Sequence, residues 1–405
     1  MAISASSRRA AWLGAYLLLA VMMAGTLPTP LYPLYAQRLG LSPLWVTLVF
    51  ASYALAILFK LLVFGKLSDL LGRRPVLVLS VGLTGASLLA FLYWPSLPGL
   101  FVGRILSGMA VGLMVGAVTA YLAELLRNRA LAALITSLCN MSGLGLGALL
   151  SGAVSQYAAQ PLHASYQLLL GMLLPGLLLP WLPETVKHEG PRPALRLQRL
   201  GIPAEIRQAF MAAAMAVLCG FSFLGLFAAL AGRFLAVGLH RGGFLLSGGM
   251  VFSAFCCAAL GQLLVVRMPP RKVVPAGVLL LPLALACVWL AFRLASMPLF
   301  LAGAAVGGMG AGMALRGGLG LVAMLSPAER LAEVSSCFFV AAYLGLIVPV
   351  VGVGILLTRL DMASVLALFG LLVGALAMAS SRAVLAQTEV LPHGGVAEGA
   401  RSQEA

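Results

Sequence analysis

Charge is scarce in this sequence, and the residues that build metal and disulfide sites are scarcer still. Asp, Glu, Lys and Arg make up 9% of the 405 residues against 62% hydrophobic residues, and the mean hydropathy is +1.06. A chain with so little charge cannot cover itself with a soluble surface. The four histidines lie in loops or the tail without the spacing of metal ligands, and the six cysteines lie in apolar segments as small hydrophobes. These scarcities exclude an ordinary soluble protein, and they predict no metal site, disulfide framework or cofactor.

The sequence has instead twelve apolar runs, each long enough to cross a bilayer. Pro28, Pro30 and Pro33 predict that the outer end of the first run is kinked or unwound. The first run also resembles a signal peptide, but eleven further runs behind it favour a retained span. The predicted fold class is an all-α membrane protein with twelve transmembrane helices. The predicted spans are approximately 10–36, 44–66, 75–94, 98–123, 130–158, 164–182, 208–236, 244–266, 273–293, 297–324, 331–357 and 362–385.

The longest polar break divides the spans six and six. We predict an N-terminal six-helix half at 1–183, a cytoplasmic linker at 184–207, a C-terminal six-helix half at 208–385 and a disordered cytoplasmic tail at 386–405.

An internal repeat supports this division. The segments 103–112 and 303–312 share identical residues at four positions with a constant offset of 200. A chance match stays open in a chain with 46 glycines, but both segments fall in the fourth span of their half. Equivalent placement favours two repeats related by an axis normal to the membrane.

The distribution of Lys and Arg predicts the orientation. With a cytoplasmic N-terminus, eighteen Lys and Arg fall in inner segments and five in outer segments. Because cytoplasmic loops carry the excess of basic residues, both termini are predicted to be cytoplasmic, in the inner membrane of a bacterium. The net charge of +15 therefore reflects topology, and no nucleic-acid partner is predicted.

The densest cluster of charge lies in the turn after the second span. Residues 65–74 read Gly-Lys-Leu-Ser-Asp-Leu-Leu-Gly-Arg-Arg. A solvated loop that obeys the positive-inside rule is one interpretation of this turn. With the twelve spans and the basic central loop, however, the chain up to about residue 382 resembles the major facilitator superfamily. Its signature Gly-x-x-x-Asp-x-x-Gly-Arg-Arg/Lys is filled at every fixed place, by Gly65, Asp69, Gly72, Arg73 and Arg74.

The resemblance implies that this turn is a conformational latch. In the family, the aspartate faces the start of span 11 and the arginine reaches an acid at the end of span 4, the position of Glu124 here. The second-half copy of the signature has Val265 in place of the aspartate. Pro183-Glu184-Thr185 resembles a further family feature at the end of the first half.

Two other segments resemble signatures of the drug–proton antiporters. Arg104 begins the pattern Arg-x-x-Gln-Gly in span 4, with serine in place of glutamine, and the family associates this arginine with proton coupling or substrate charge. The span-5 signature Gly-Pro-x-x-Gly-Gly is half present at 147–152. Small residues also let helices pack closely. We assign that role to Gly108, Gly112, Gly143, Gly147, Gly152, Gly308 and Gly312.

The charges inside the spans are all basic: Lys60, Arg104 and Arg316. No Asp or Glu lies in the middle of a span, although many proton-coupled transporters use a buried carboxylate. Because charges inside membranes usually mark functional sites, these three are predicted to act in substrate binding or proton coupling. Snorkelling of Arg104 or Lys60 to a surface, and a helix-to-helix bond of Arg316, are the structural alternatives. Weaker candidates for a substrate route, explained equally well by packing, are Tyr32, Tyr35, Tyr53, Asn140, Gln262 and Tyr343.

These features predict a secondary transporter that exports a small anionic or amphipathic compound by proton-coupled alternating access. The alternative is a proton-coupled uptake symporter, or a uniporter, for an organic anion or other nutrient. A membrane-bound enzyme or receptor would need a nucleophile–base set or a large soluble domain, and the sequence offers neither. The expected partners are the substrate, protons and the lipid bilayer, and the chain is expected to be a monomer.

Overall fold

A computed structural model describes residues 5–65, 67–186, 201–240 and 242–390. Residues 187–200 of the predicted linker, 391–405 of the predicted tail, and Lys66 lie outside the described residues. Within the described part, twelve helical segments are long and apolar enough to cross a membrane, which confirms the predicted fold class. Spans 1 to 12 are Ser7–Leu39, Pro43–Val63, Arg73–Tyr93, Leu97–Leu126, Arg129–Tyr157, Pro161–Trp181, Ala204–Val237, Phe244–Leu264, Pro270–Leu294, Met297–Leu325, Leu331–Leu356 and Met362–Ala386.

Two of the spans are not continuous α-helices. Span 1 consists of two helices joined by a 3₁₀ turn, and span 6 ends in a 3₁₀ segment that begins at Leu174 and contains Pro175 and Pro180. Proline removes a backbone donor and clashes with the preceding turn, so it interrupts the α-helix at both places. The α-helices are Ala5–Thr26, Tyr32–Leu39, Pro43–Val63, Leu67–Leu71, Arg73–Tyr93, Leu97–Leu126, Arg129–Tyr157, Pro161–Met172, Arg207–Gly238, Phe244–Leu264, Pro270–Leu294, Met297–Leu325, Leu331–Leu356 and Met362–Val390.

The sequence repeat corresponds to equivalent packing in the two halves. A Cβ at Gly103 would meet Phe91 of span 3, and a Cβ at Gly303 would meet Val288 of span 9. One helical turn further on, Gly108 faces span 2 and Gly308 faces span 8. The fourth helix of each half therefore contacts the second and third helices of its half through the same positions.

The halves meet along two pairs of spans, span 5 with span 8 and span 2 with span 11. We call the side where span 1 ends the outer side, following the predicted orientation. At this side the backbone N–H of Phe244 donates to Oε1 of Gln156 at 3.0 Å, and Thr47 touches Gly354. Toward the inner side, the hydroxyl of Ser137 in span 5 donates to Gln262 in span 8. The outer ends of both pairs are therefore closed against each other.

Candidate functional site

Span 1 is interrupted in its outer half, and the interruption leaves polar backbone groups inside the protein. Its first helix ends at Thr26, and a 3₁₀ turn at Thr29–Leu31 precedes the second helix. Pro28 and Pro30 have no N–H, so neither can bond to the carbonyl four residues earlier. The hydroxyl of Thr29 donates to the Thr26 carbonyl at 2.8 Å. Other carbonyls at this helix end need donors from another span.

Arg104 of span 4 supplies such a donor. Its side chain is fully buried, about 10 Å along the helix axis from the start of span 4 at Leu97. Nη1 donates to the Gly25 carbonyl at 2.6 Å, and Nη2 lies 3.5 Å from the Phe50 carbonyl. Nε is buried without a hydrogen-bond partner among the described residues. Arg104 therefore does not snorkel to the outer surface, and none of the ion pairs found in the described chain involves it.

Aromatic rings surround the guanidinium of Arg104. Its central carbon lies 4.4 Å from the ring centroid of Tyr53 and 5.4 Å from that of Phe50. Both distances are in the range of cation–π attraction, which strengthens away from water. The hydroxyl of Tyr32, at the start of the second helix of span 1, is buried without a hydrogen-bond partner in the part of the chain described. The site thus combines a cation, ring faces and an unused hydroxyl.

The second half contributes aromatic side chains to the same region. Span 11 packs against span 2, and Tyr343 of span 11 lies near Tyr53 of span 2. Phe221 of span 7 packs edge-to-face on Tyr343, with ring centroids 6.1 Å apart. We define the Arg104 site as Tyr32, Phe50, Tyr53, Arg104 and Tyr343. It lies where spans 2 and 11 of the two halves meet.

An ionic cluster joins the turn after span 2 to the ends of spans 4 and 6. Arg73, at the start of span 3, donates from Nη2 to Glu124 at 2.9 Å and from Nη1 to Asp69 at 2.5 Å. The hydroxyl of Thr185 donates to the same Glu124 carboxylate. The cluster borders a cavity of about 430 Å³ on the inner side. The structure therefore brings together the aspartate, the arginine and the acid that the resemblance implies.

The other residues of the signature shape the turn. Gly65 lies in the turn directly after span 2. Gly72 has φ +97°, a conformation that favours glycine, and a Cβ there would lie 2.7 Å from Oε2 of Glu184. Nη1 of Arg74 donates to the Pro180 carbonyl at 2.9 Å. Asp69 remains 56% exposed and forms no hydrogen bond with span 11 in the described chain, so the contact implied there is not formed in this conformation.

Glu184 is a member of this cluster that the sequence pattern did not assign. Its carboxylate accepts the backbone N–H of Arg73 at 2.9 Å and that of Arg74 at 3.0 Å. Partial burial pushes the pKa of Glu184 up, but hydrogen bonds from four backbone N–H groups outweigh it, so the pKa lies below its ordinary value. The carboxylate caps the N-terminus of span 3, where a negative charge is favoured. Its signal in the sequence is its place in Pro183-Glu184-Thr185.

Lys60, near the inner end of span 2, lies along the surface of span 4. A Cβ at Gly112 would lie 3.2 Å from its Cδ, and a Cβ at Gly116 would lie 3.5 Å from its Nζ. The ammonium therefore points along span 4 toward the end that carries Glu124. The residue is 6% exposed, and no hydrogen bond or ion pair of its ammonium is found in the part of the chain that the structure describes.

Arg316 lies on a different face from the Arg104 site. One turn before it, a Cβ at Gly312 would collide with the Ala258 carbonyl of span 8. One turn after it, a Cβ at Gly320 would lie 2.9 Å from Pro270, the first residue of span 9. Since residues four apart share a helix face, Arg316 faces the junction of spans 8 and 9. The predicted substrate contact of Arg316 stays a prediction.

The glycines predicted to pack helices lie at close approaches. At each, an added Cβ would lie 3.2 Å or less from an atom of a neighbouring helix. Most of these contacts are within one half, but Gly152 of span 5 faces the Phe244 carbonyl of span 8. The seven positions are Gly108, Gly112, Gly143, Gly147, Gly152, Gly308 and Gly312.

Twelve apolar spans that enclose a buried cation are the architecture of a membrane transporter. The chain belongs to the major facilitator superfamily, whose family model matches residues 15–281. It is accordingly a secondary transporter of a small molecule and not an enzyme.

Solved structures and a curated relative agree with this membership. The human organic anion transporter MFSD10 (TETRAN) is 17% identical, with a TM-score of 0.68 over 94% of this chain and 100% of that one. A bacterial homologue of the human lysosomal transporter Spinster, inward-facing and unoccupied, is 14% identical, with a TM-score of 0.69 over 94% and 98%. Monosaccharide-sensing protein 2 of Arabidopsis thaliana is 34% identical over 129 residues, 32% of this chain and 17% of that protein.

Proposed function

We propose that this transporter exports a small amphipathic organic anion through the Arg104 site, by proton-coupled alternating access across a bacterial inner membrane, with both termini cytoplasmic. The observation that carries the proposal is the buried charge of Arg104. It contacts two backbone carbonyls and two aromatic rings, and one of its N–H groups is buried without an acceptor among the described residues.

A buried guanidinium without a carboxylate favours an anionic substrate. Arg carries five N–H donors in a planar fork that fits a carboxylate or sulfonate bidentately. A charge inside a membrane is costly unless it is paired or faces water. An anion at the Arg104 site would supply the missing acceptor and neutralise the charge, so binding removes part of that cost.

The rings around Arg104 favour an apolar body attached to the anionic group. Phe50, Tyr53 and Tyr343 offer aromatic faces, and the buried hydroxyl of Tyr32 offers a second polar contact. Apolar pockets with a few fixed polar groups are the usual design of small-molecule sites. MFSD10 is named as an organic anion transporter, although at 17% identity it supports the fold alone.

The proposal is tested with three aromatic probes of one size and different charge. The protein is reconstituted into liposomes, and counterflow is measured separately for three radiolabelled probes. These are the anion p-toluenesulfonate, the neutral p-toluenesulfonamide and the cation 4-methylbenzyltrimethylammonium. We expect uptake of the sulfonate alone. Arg104→Gln should lower it roughly 10- to 100-fold, because a hydrogen bond to a charged group contributes about 1.5–3 kcal/mol.

Arg38→Gln is the matched control, since Arg38 is exposed in the last turn of the outer helix of span 1. It should leave counterflow unchanged. Preference for the cation or the neutral probe, or normal sulfonate transport by Arg104→Gln, contradicts the proposal.

Uniport is the second candidate, and the lack of a carboxylate in the middle of any span favours it. Export of a monoanion moves negative charge outward, so an inside-negative potential drives it with about 2.3 kcal/mol per 100 mV. In the proton-coupled case we assign the proton to Lys60, whose ammonium is buried along span 4.

A pH gradient and a potassium-diffusion potential, imposed separately on the same liposomes, distinguish the two cases. Antiport predicts sulfonate export driven by the pH gradient and lost in Lys60→Met. Uniport predicts a response to the potential alone, in both proteins. Accumulation driven by protons in the inward direction would instead establish uptake by symport.

The ionic cluster at the inner side is assigned to conformational control. Gly65, Asp69, Gly72, Arg73, Arg74 and Glu124 form the proposed latch, and Glu184 extends it. The hydrogen bonds of Arg73, Arg74 and Thr185 described above join elements of the first half, so they hold the ends of spans 3, 4 and 6 as one unit. Alternating access requires such a unit to move as a body against the second half.

A further inference from the structure

The inner end of spans 8, 9 and 10 carries a second basic cluster with a different environment. Arg267 and Lys272 are exposed and Arg271 is half-buried, in the loop and first turn between spans 8 and 9. Arg316 of span 10 faces the same junction. It lies between Gly312, which contacts span 8, and Gly320, which contacts Pro270 of span 9. Arg316 is half-buried, and none of the ion pairs found in the described chain involves it.

The corresponding place in the first half is neutralised by acids. There Arg73 pairs with Asp69 and Glu124. In the second half, Val265 takes the place of Asp69 when the two signatures are aligned. Met324 takes the place of Glu124 at the offset of 200 residues that relates the two repeats. The segment from Val265 to Lys272 contains no acidic residue at all. The cations of this junction therefore lack the carboxylates that the first half provides.

The positive-inside rule accounts for the loop residues but not for Arg316. Arg267 lies in the loop between spans 8 and 9, and Arg271 and Lys272 lie in the first turn of span 9, where cytoplasmic cations are expected. Arg316 lies nine residues before the end of span 10 at Leu325, about 14 Å along the helix axis. A half-buried arginine at that depth is stabilised by an anionic or carbonyl partner or by a water-filled cavity, and an anion from outside the described chain would neutralise its charge.

The surface beside this junction is apolar and exposed. Leu260, Leu263 and Leu264 of span 8 are 51%, 41% and 67% exposed, and Val266 is 40% exposed. In a membrane such side chains contact acyl chains. An anion that reaches Arg316 from this side therefore arrives next to an acyl-chain surface.

We propose that the junction of spans 8, 9 and 10 binds the headgroup of an anionic phospholipid of the inner leaflet. Its phosphate contacts Arg316 together with the basic residues of the loop, and its acyl chains lie along the exposed leucines of span 8. The lipid phosphate supplies in the second half the negative charge that Asp69 and Glu124 supply in the first. Basic pockets between spans on the cytoplasmic side are suited to anionic headgroups.

The test measures lipid binding by the purified full-length protein in detergent. Native mass spectrometry records bound dioleoyl-phosphatidylglycerol and, as the zwitterionic control, dioleoyl-phosphatidylcholine. We expect tighter binding of the anionic lipid, weakened about tenfold or more by Arg316→Gln and partly retained by Arg316→Lys. Arg382→Gln removes an exposed charge at the inner end of span 12 and should leave the affinity unchanged.

Several results would overturn the assignment. One is equal binding of the two lipids by the natural protein, and another is unchanged phosphatidylglycerol binding in Arg316→Gln. Equal occupancy by inorganic phosphate at the same concentration would assign the cluster to a soluble anion instead. If Arg316→Gln fails to fold, Arg271→Gln combined with Lys272→Gln gives the same comparison from the loop side. Loss of sulfonate counterflow in Arg316→Gln with unchanged lipid binding would return Arg316 to the substrate route.

Discussion

Single charged side chains do different work at the two ends of the first half. Arg104 is buried without a carboxylate, whereas Arg73 is surrounded by three of them, counting the contact of its backbone with Glu184. The first arrangement leaves a charge for a ligand to neutralise, and the second leaves none. We therefore locate substrate recognition at Arg104 and mechanical coupling at Arg73.

Glu184 gives a pH-dependent prediction. Its folded-state pKa lies below the ordinary value of 4.5, so its cap stabilises the protein fully above about pH 4.5. That contribution is lost as the pH falls through the lower folded-state pKa. Glu184→Gln should therefore lower the melting temperature at pH 7, by the equivalent of about 0.5–2 kcal/mol for a lost cap, and much less at pH 3.

The measurement is thermal unfolding of the two proteins in detergent across that pH range. Glu329→Gln, at an exposed acid before span 11, is the control and should track the natural protein. A gap between Glu184→Gln and the natural protein that is the same at pH 3 and pH 7 would contradict the role of the charge.

Residue-level contacts are where sequence reasoning reached its limit. Glu124 was assigned because a family pattern fixes its place, whereas Glu184 meets Arg73 across 111 positions of sequence. No spacing rule reveals such a contact, because it depends on where span 6 ends relative to span 3. The sequence predicts that Arg316 lies inside span 10. The helix face on which it lies depends on which neighbouring helices Gly312 and Gly320 contact, and the sequence does not predict those contacts.

At the scale of helices, the close approaches depend on small residues. A Cβ at Gly312 would collide with the Ala258 carbonyl, which is backbone and cannot rotate away. Gly312→Ala should therefore destabilise the protein by about 1–3 kcal/mol despite the better helix propensity of alanine. Thermal unfolding and the yield of monodisperse protein measure the effect.

Gly352 of span 11 offers the matched control. Nothing in the described chain lies within 4 Å of a Cβ at this position. Gly352→Ala should leave stability unchanged or raise it slightly through helix propensity. Equal effects of the two substitutions on stability would show that helix propensity, and not packing, determines the change in stability at these positions.

The helices themselves were predictable because the membrane leaves few choices. Backbone groups in hydrocarbon must be paired internally, so a long apolar run becomes a helix, and the twelve spans were found from hydropathy. The interruption of span 1 was predicted from Pro28, Pro30 and Pro33 and is confirmed. Its use as an acceptor for Arg104 was not predictable, because it depends on how spans 1 and 4 pack.

For the whole molecule, the outer side is closed by contacts between the halves. Thr47 of span 2 lies against Gly354 of span 11, and a Cβ at Gly354 would lie 3.0 Å from that of Thr47. Cysteines at both positions are therefore within reach of a disulfide after a small shift. Thr47→Cys combined with Gly354→Cys should crosslink under oxidation, stop counterflow, and recover on reduction.

The single-cysteine variants serve as controls. They also test whether an introduced cysteine crosslinks with one of the six native cysteines, which are all free thiols in this structure. Each single variant should keep its transport after oxidation. Full transport by the crosslinked double variant would mean that the outer ends of spans 2 and 11 need not separate, against alternating access at this pair.

The position of Arg104 along the chain has a consequence for how the protein is made. It contacts Gly25, Phe50 and Tyr53, which belong to spans 1 and 2 and are therefore synthesised before span 4. An arginine costs about 2.5–3.5 kcal/mol at the insertion machinery when it lies at the centre of a helix, and less nearer the end, where Arg104 lies. Because its partners have already entered the bilayer when span 4 emerges, the nascent protein can lower that cost as the helix inserts, and the broken first span serves as an assembly guide for the fourth.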